Sequence, residues 1–268
     1  MNDSIAVIGS GVIGGAIVRS LLKSSHDYTI TASDIALEKI NELKEFGVSV
    51  TSDNKKAAKE SEIIFVCVKP NYLKNVLEEI SQEIKGKLVI SSAAAVTIDF
   101  CKRIVPNAKF VRIMPNVAIT VQESFTAYCC SQDITPQEKE IVKALLNMMG
   151  IQMEIEEKFM DAITAVSGSG PGYISIIIEA LTYAGLKVGL PRKLASNSAA
   201  QAVLGTAKLI LETGQTAAQI RDNVTTPGGT TIEAIYEVER SQIRQALMRA
   251  VESATKKSNE IRKKWNEK

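Results

Sequence analysis

Short β-branched stretches alternate with amphipathic ones through the first half of the chain. SIAVIG (4–9), YTITAS (28–33), VSVT (48–51), EIIFVCV (62–68), KLVISS (87–92) and KFVRIM (109–114) are strand-length and rich in Ile and Val. In most of them apolar residues fall at successive positions, which requires cover on both faces. Residues 14–24, 36–46, 72–83 and 97–104 carry helical spacing between them. The alternation predicts an α/β domain, a doubly wound and mostly parallel sheet with helices on both sides. FTAYCC (125–130), a helical stretch over 135–149 and IQMEIE (151–156) are expected to complete it.

After about residue 160 the strand signals almost vanish. YISIIIEALTYAGLKVG (173–189) and RKLASNSAAQAVLGTAKLILETG (192–214) are Ala- and Leu-rich with helical spacing, and within 173–189 only Glu179 and Lys187 are charged. A helix apolar on all sides has to be covered on all sides, which a domain of about 100 residues hardly manages alone. The pattern therefore predicts residues 1–160 as the α/β domain. It predicts 161–268 as an all-helical domain that binds substrate and pairs two copies into a homodimer or a higher homo-oligomer. A helix enclosed within one domain is the alternative.

Composition narrows the class. With 268 residues, 45% hydrophobic and 23% charged, the chain is globular. A net charge of +2 gives no footprint for nucleic acid, and the basic EIRKKWNEK at the C-terminus has the pattern of a solvated helix face. No stretch reaches the roughly 18 to 20 apolar residues of a membrane span. The start, MNDSIAVIG, runs directly into a strand without a basic leader. Cys67, Cys101, Cys129 and Cys130 have neither CxxC spacing nor a histidine pair, His26 being the single histidine. The expectation is a cytoplasmic protein with no structural metal, and with Cys67 as core.

Gly9-x-Gly11-x-x-Gly14 follows the first strand and opens the first helix. In that setting the first glycine permits a tight turn, the second lets backbone approach a pyrophosphate, and the third lets helix and strand pack closely. The amides at the helix start, Val12 and Ile13 among them, would hold the phosphates. This is the phosphate-binding turn of a Rossmann domain. Asp34, twenty residues beyond Gly14, ends the second strand, where a carboxylate accepts hydrogen bonds from the adenosine ribose; capping the next helix is its other use. Against a 2′-phosphate at about 5 Å, with an effective dielectric near 20, Asp34 costs roughly 3 kcal/mol, about a hundredfold in affinity. Ser33 offers a hydroxyl to such a phosphate, but no arginine joins it. The cofactor reading is NADH or NADPH, leaning toward NADH. Val68-Lys69-Pro70 follows the fourth strand at the same carboxyl edge.

The proton machinery for reducing a carbonyl is thin. His26 lies in the loop before the second strand, and the helix after SGSGPGY has no lysine until Lys187. A C=N substrate asks for less, because an imine can arrive protonated and needs only a hydroxyl near its nitrogen. NVTTPGGTTIEAI (223–235) supplies hydroxyls around a Pro-Gly-Gly corner. Thr230-x-x-Glu233 matches a capping box, which leaves Thr231 free to face a ligand. Gly228 and Gly229 would present bare amides to a carboxylate, with Thr226 adding a hydrogen bond.

Six stretches together resemble the pyrroline-5-carboxylate reductase family, in order and over essentially the whole chain. They are GSGVIGGAI, VKP, RIMPN (112–116), AVSGSGPGYISIIIEAL (165–181), GLPRKLA (189–195) and DNVTTPGGTTIEAI (222–235). The resemblance implies an N-terminal Rossmann domain and a helical domain that interlocks with its twin. It implies reduction of Δ1-pyrroline-5-carboxylate to L-proline by NAD(P)H, the last step of proline biosynthesis. By the same resemblance Thr231 bonds the ring nitrogen, and Thr226 with the backbone of Gly229 and Thr230 holds the carboxylate. Asn54, Val68, Lys69, Pro70, Ala93, Ala94 and Ala95 line the cofactor, and Asn223 touches its nicotinamide end. The chain departs from the family pattern at Val117-Ala118 (commonly Thr-Pro), Ala94-Ala95 (often Ala-Gly), Pro171-Gly172 (often Pro-Ala) and Thr216-Ala217 (frequently His-Pro). Two other readings stay open: a reductase of another small carboxylated substrate, either an imine or a β-hydroxyacid, and a non-catalytic NAD-binding regulator.

Overall fold

The computed structural model describes residues 4–26 and 28–266. Eight strands form one sheet in the order β3-β2-β1-β4-β5-β6-β7-β8. They are β1 (Ser4–Ile8), β2 (Thr29–Ser33), β3 (Ser49–Thr51), β4 (Ile63–Val66), β5 (Leu88–Ser91), β6 (Lys109–Met114), β7 (Ser124–Cys130) and β8 (Gly150–Glu154). The first six are parallel, β7 runs antiparallel to β6, and β8 is parallel to β7. Every strand read from the sequence forms: the first five are trimmed at their ends, β6 keeps its expected bounds, and β7 and β8 each begin one residue earlier than expected.

The doubly apolar strands are explained by two cores. Side chains alternate across a strand: Ile5 and Val7 join Ile17, Leu21 and Phe65 on one face, while Ala6 and Ile8 join Ile64, Val66, Leu73 and Leu77 on the other. Each large side chain so buried contributes about 1.5–3 kcal/mol. The covering helices are α1 (Val12–Leu22), α2 (Asn54–Lys59), α3 (Pro70–Glu79), α4 (Ile98–Ile104) and α5 (Pro136–Asn147). Thr135 caps α5 in a full capping box with Glu138.

One local expectation needs correction, and one helix was not expected. Residues 36–46 do not form an α-helix but two 3-10 turns, Leu37–Lys39 and Asn41–Phe46, separated at Ile40. Ile40 and Leu43 are both buried, and their i,i+3 spacing matches the three-residue period of a 3-10 turn. The short helix α2 carries no amphipathic stripe and was invisible to periodicity; Asp53 starts it by accepting from the Lys56 amide at 2.9 Å.

Beyond β8 come α6 (Met160–Ile163), a π-turn over Thr164–Gly168, α7 (Gly170–Lys187), α8 (Arg192–Thr213), α9 (Ala217–Asn223), α10 (Thr230–Arg240) and α11 (Ile243–Asn266). The chain divides into two compact units, Met1–Ser169 with Glu252–Lys268, and Gly170–Val251. The end of α11 is tied into the first unit. Asp161, nearly buried, accepts from Ser258 Oγ at 2.6 Å and Arg262 Nε at 2.7 Å, and Trp265 packs against the second core. In the second unit α7 has no buried residue, and Ile176 and Leu211 stand 65% and 68% exposed. No helix among the described residues is long and apolar enough to cross a membrane.

A second ion pair inside the first unit ties β6 to the chain after β8. Arg112 on β6, 3% exposed, donates from Nη1 to Glu157 Oε1 at 3.0 Å. The same oxygen accepts the Ile98 amide at the start of α4, at 2.9 Å. Removing the carboxylate strands a buried guanidinium. Glu157→Ala is expected to cost about 2–4 kcal/mol in urea unfolding, and adding Arg112→Met to recover most of the loss; a fully additive pair of losses contradicts the coupling.

Candidate active site

The strand order reverses at β1, which opens a crevice at the carboxyl ends of β1 and β4. The glycine turn sits there. Its amide at Gly9 donates to Ser33 O at 2.8 Å, tying the turn to β2. Gly9 has φ +85°, and a Cβ on it would stand 2.8 Å from Val68 Cγ1. A Cβ on Gly14 would overlap the Gly9 carbonyl oxygen, whereas around Gly11 nothing lies within 4 Å of where a Cβ would stand. Two glycines are thus required by the protein's own packing and one is left open to something else. Gly15, bonded to Gly11 O at 2.8 Å, is the first intrahelical donor of α1, so the amides of Val12, Ile13 and Gly14 lack helical partners. Val12 is exposed, and Ile13 packs against the core. Bare amides, an open glycine and the positive end of α1 suit a pyrophosphate.

The neighbouring strand ends add the remaining groups of this edge. Asp34 follows β2, its amide bonded to Thr51 O at 3.2 Å. Its Oδ1 accepts from the Ala36 amide at 3.0 Å, so the carboxylate turns its own loop with one oxygen. Ser33 is buried and its Oγ donates to Asn54 Oδ1 at 2.7 Å. After β4, Lys69 is the exposed N-cap of α3 with Pro70 at the first helical position. After β5, Ala93 and Ala95 are buried and Ala94 is half-buried; Ala95 has φ +61°, a left-handed conformation that a glycine would adopt without strain. The expected residues Gly9, Gly11, Val12, Ile13, Gly14, Ser33, Asp34, Asn54, Val68, Lys69, Pro70 and Ala93 to Ala95 therefore gather in the first unit around one sheet edge.

The thiols of this unit are held protonated. Burial pushes Cys67, Cys101 and Cys129 up to about 12 and Cys130 up to about 11, which removes their thiolate character at neutral pH.

The threonine-rich corner belongs to the second unit. Thr226 to Gly229 form a tight turn with Pro227 second, Gly228 third at φ +68°, and the Gly229 amide bonded to Thr226 O at 3.0 Å; these are the marks of a type II turn. A Cβ on Gly229 would collide with Thr226 Oγ1. Two expectations change. Gly229, not Thr230, is the N-cap of α10, and no side chain caps it, so the capping box between Thr230 and Glu233 does not form. The Gly229 amide is spent on the turn and is not bare. The amides open at the start of α10 are those of Thr230, Thr231 and Ile232. The hydroxyls of Thr226, Thr230 and Thr231 have no hydrogen-bond partner among the described residues, and Thr231 is half-buried. Asn223, also in this unit, donates from Nδ2 to Gln215 Oε1 at 3.4 Å. Thr216, where the family pattern frequently has His, instead caps α9 in a capping box with Gln219.

One polar link escaped the sequence reading. Asn116, in the quoted RIMPN stretch, donates from Nδ2 to Ser167 O at 3.1 Å and fastens the π-turn.

An α/β unit with a glycine phosphate turn, a carboxylate after β2 and a helical second unit defines a nicotinamide-dependent oxidoreductase class. A family model described as NADP oxidoreductase, coenzyme F420-dependent, matches residues 4–95, and one for pyrroline-5-carboxylate reductase dimerisation matches 157–261. The pyrroline-5-carboxylate reductase of Synechocystis is 37% identical over 98% of this chain and 100% of its own length. Two solved structures are similar at 30% identity, each over 97% of this chain and 98% of the other. One is a pyrroline-5-carboxylate reductase from Coxiella burnetii, at a TM-score of 0.90, and the other the Plasmodium falciparum pyrroline carboxylate reductase with NADP bound, at 0.87. The chain belongs to the pyrroline-5-carboxylate reductase family.

The glycine geometry gives a test by substitution. Gly11→Ala is expected to leave the thermal midpoint within about 2 °C and weaken dinucleotide binding at least tenfold, whereas Gly14→Ala is expected to lower the midpoint by several degrees. Calorimetric melting and a fluorescence titration with NADH measure both.

Proposed function

We propose that this chain reduces the C=N bond of Δ1-pyrroline-5-carboxylate to give L-proline, working in the cytoplasm as a homodimer paired through the apolar helices of its second unit. The observation that carries this reading is the Thr226–Thr231 corner: three hydroxyls without partners and three unspent amides in a chain that matches the family end to end.

When bound, the nicotinamide supplies a hydride to the imine carbon. The protein's own residues do the rest. The substrate carboxylate is held by Thr226 Oγ1 and the amides of Thr230, Thr231 and Ile232, where the dipole of α10 favours negative charge. The protonated ring nitrogen donates to Thr231 Oγ1, which orients the C=N face toward the hydride. The nitrogen keeps its proton and ends as the amine, so no side chain has to deliver one. That agrees with the want of a histidine or lysine acid at the corner. Asp34, with an oxygen left beyond the Ala36 contact, accepts from the adenosine ribose and disfavours a 2′-phosphate, so NADH is the preferred donor.

Oxidation of NADH and of NADPH is measured with Δ1-pyrroline-5-carboxylate and with a bulkier cyclic imine. Turnover is expected with the first substrate, faster with NADH. Thr231→Ala is expected to lose about 10- to 1,000-fold in kcat/KM, the effect of one hydrogen bond made mainly in the transition state. Turnover only with the bulkier imine favours a general imine reductase, and no oxidation of either nucleotide favours a non-catalytic regulator.

A further inference from the structure

Glu79 closes a polar chain at the adenosine edge. Ser33 Oγ donates to Asn54 Oδ1 at 2.7 Å, and Asn54 Nδ2 donates to Glu79 Oε2 at 3.0 Å. These residues come from the end of β2, the start of α2 and the last residue of α3. The direction of the chain is not arbitrary. A carboxylate can only accept, so Asn54 must turn its NH2 toward Glu79 and its carbonyl oxygen toward Ser33. Ser33 must then donate to Asn54 and present lone pairs elsewhere. Glu79 is exposed, and no cation pairs with it among the described residues.

We propose that Glu79 is a specificity-determining residue that rejects a 2′-phosphorylated dinucleotide, acting through Asn54 on Ser33. Resting on the assignment of this edge to the adenosine end of the cofactor, it adds a second device to Asp34. Asp34 repels the phosphate by charge. Glu79 adds a further uncompensated negative charge, takes one of the two Asn54 N–H donors and, by fixing the amide's orientation, keeps the Ser33 hydroxyl proton on Asn54 Oδ1. With Gln at 79 the terminal group can donate as well as accept, so the Asn54 amide is free to reverse and both side chains can turn donors to a phosphate. Asp34 replacement alone therefore leaves part of the discrimination in place.

Titration calorimetry of the full-length protein with ADP-ribose and with adenosine 2′,5′-bisphosphate reads this without turnover. Glu79→Gln is expected to tighten the bisphosphate about three- to tenfold, the size of one screened like charge plus regained donors, while ADP-ribose stays within about twofold. The KM ratio of NADPH to NADH is expected to fall by the same factor at unchanged kcat. Asp34→Asn is run in parallel, and the double variant is expected to exceed either single one. If Asp34→Asn shifts the preference and Glu79→Gln leaves it unmoved, the role of Glu79 is overturned while the nucleotide edge stands. If ADP-ribose binds none of the proteins, the assignment of the edge itself fails, and the role of Glu79 with it.

Discussion

Helix α1 can begin where it does only because Gly14 has no side chain. A single methyl there would enter the carbonyl oxygen of Gly9, and the helix would have to move away from the strand that feeds it. The contact fixes the direction of α1, and with it the direction of the amides at its start. Those amides face the carboxyl edge of the sheet, where the order of strands reverses at β1. Everything on that edge is arranged about this contact: Val68 lies over Gly9, the Gly9 amide holds the end of β2, and Asp34 follows one residue on.

The two units divide the chemistry. The first is built like other dinucleotide folds, with apolar cores on both faces of the sheet behind the edge. The second carries little charge on its long helices and leaves them open to a partner copy. In the proposed reaction its contribution is a turn rather than an acid. Pro227 and Gly228 set a tight reversal, Gly229 passes under Thr226, and α10 starts immediately with no side-chain cap. A capped helix start would have spent amides and a hydroxyl on itself; this one leaves them unspent, as the proposed carboxylate site requires. An imine that brings its own proton suits such a site.

The sheet was legible chiefly through β1, β4, β5 and β6, whose adjacent apolar residues serve both cores, and the phosphate turn because glycines at fixed spacing have separate packing duties. The corner at 226–231 was legible in composition but not in detail. A capping box is a local pattern, and the turn ahead of α10 moved the cap one residue upstream to Gly229, which also consumed the amide assigned to a carboxylate. Residues 36–46 misled because an i,i+3 apolar pair fits a 3-10 turn as well as an α-helix. The pairs Arg112–Glu157 and Asn54–Glu79 join residues 45 and 25 positions apart. No periodicity encodes such a contact, since it exists only once the sheet has brought its helices together.

A crystal of the protein with NADH and L-proline, the product carrying the same ring and carboxylate, tests the account most directly. The proline carboxylate should lie on the Thr230 to Ile232 amides and Thr226 Oγ1. The ring nitrogen should be within hydrogen-bond reach of Thr231 Oγ1, and the carbon that accepts hydride about 3.5 Å from the nicotinamide ring. Proline bound away from this corner, or Thr226 and Thr231 both turned from the nicotinamide in every subunit, would contradict it.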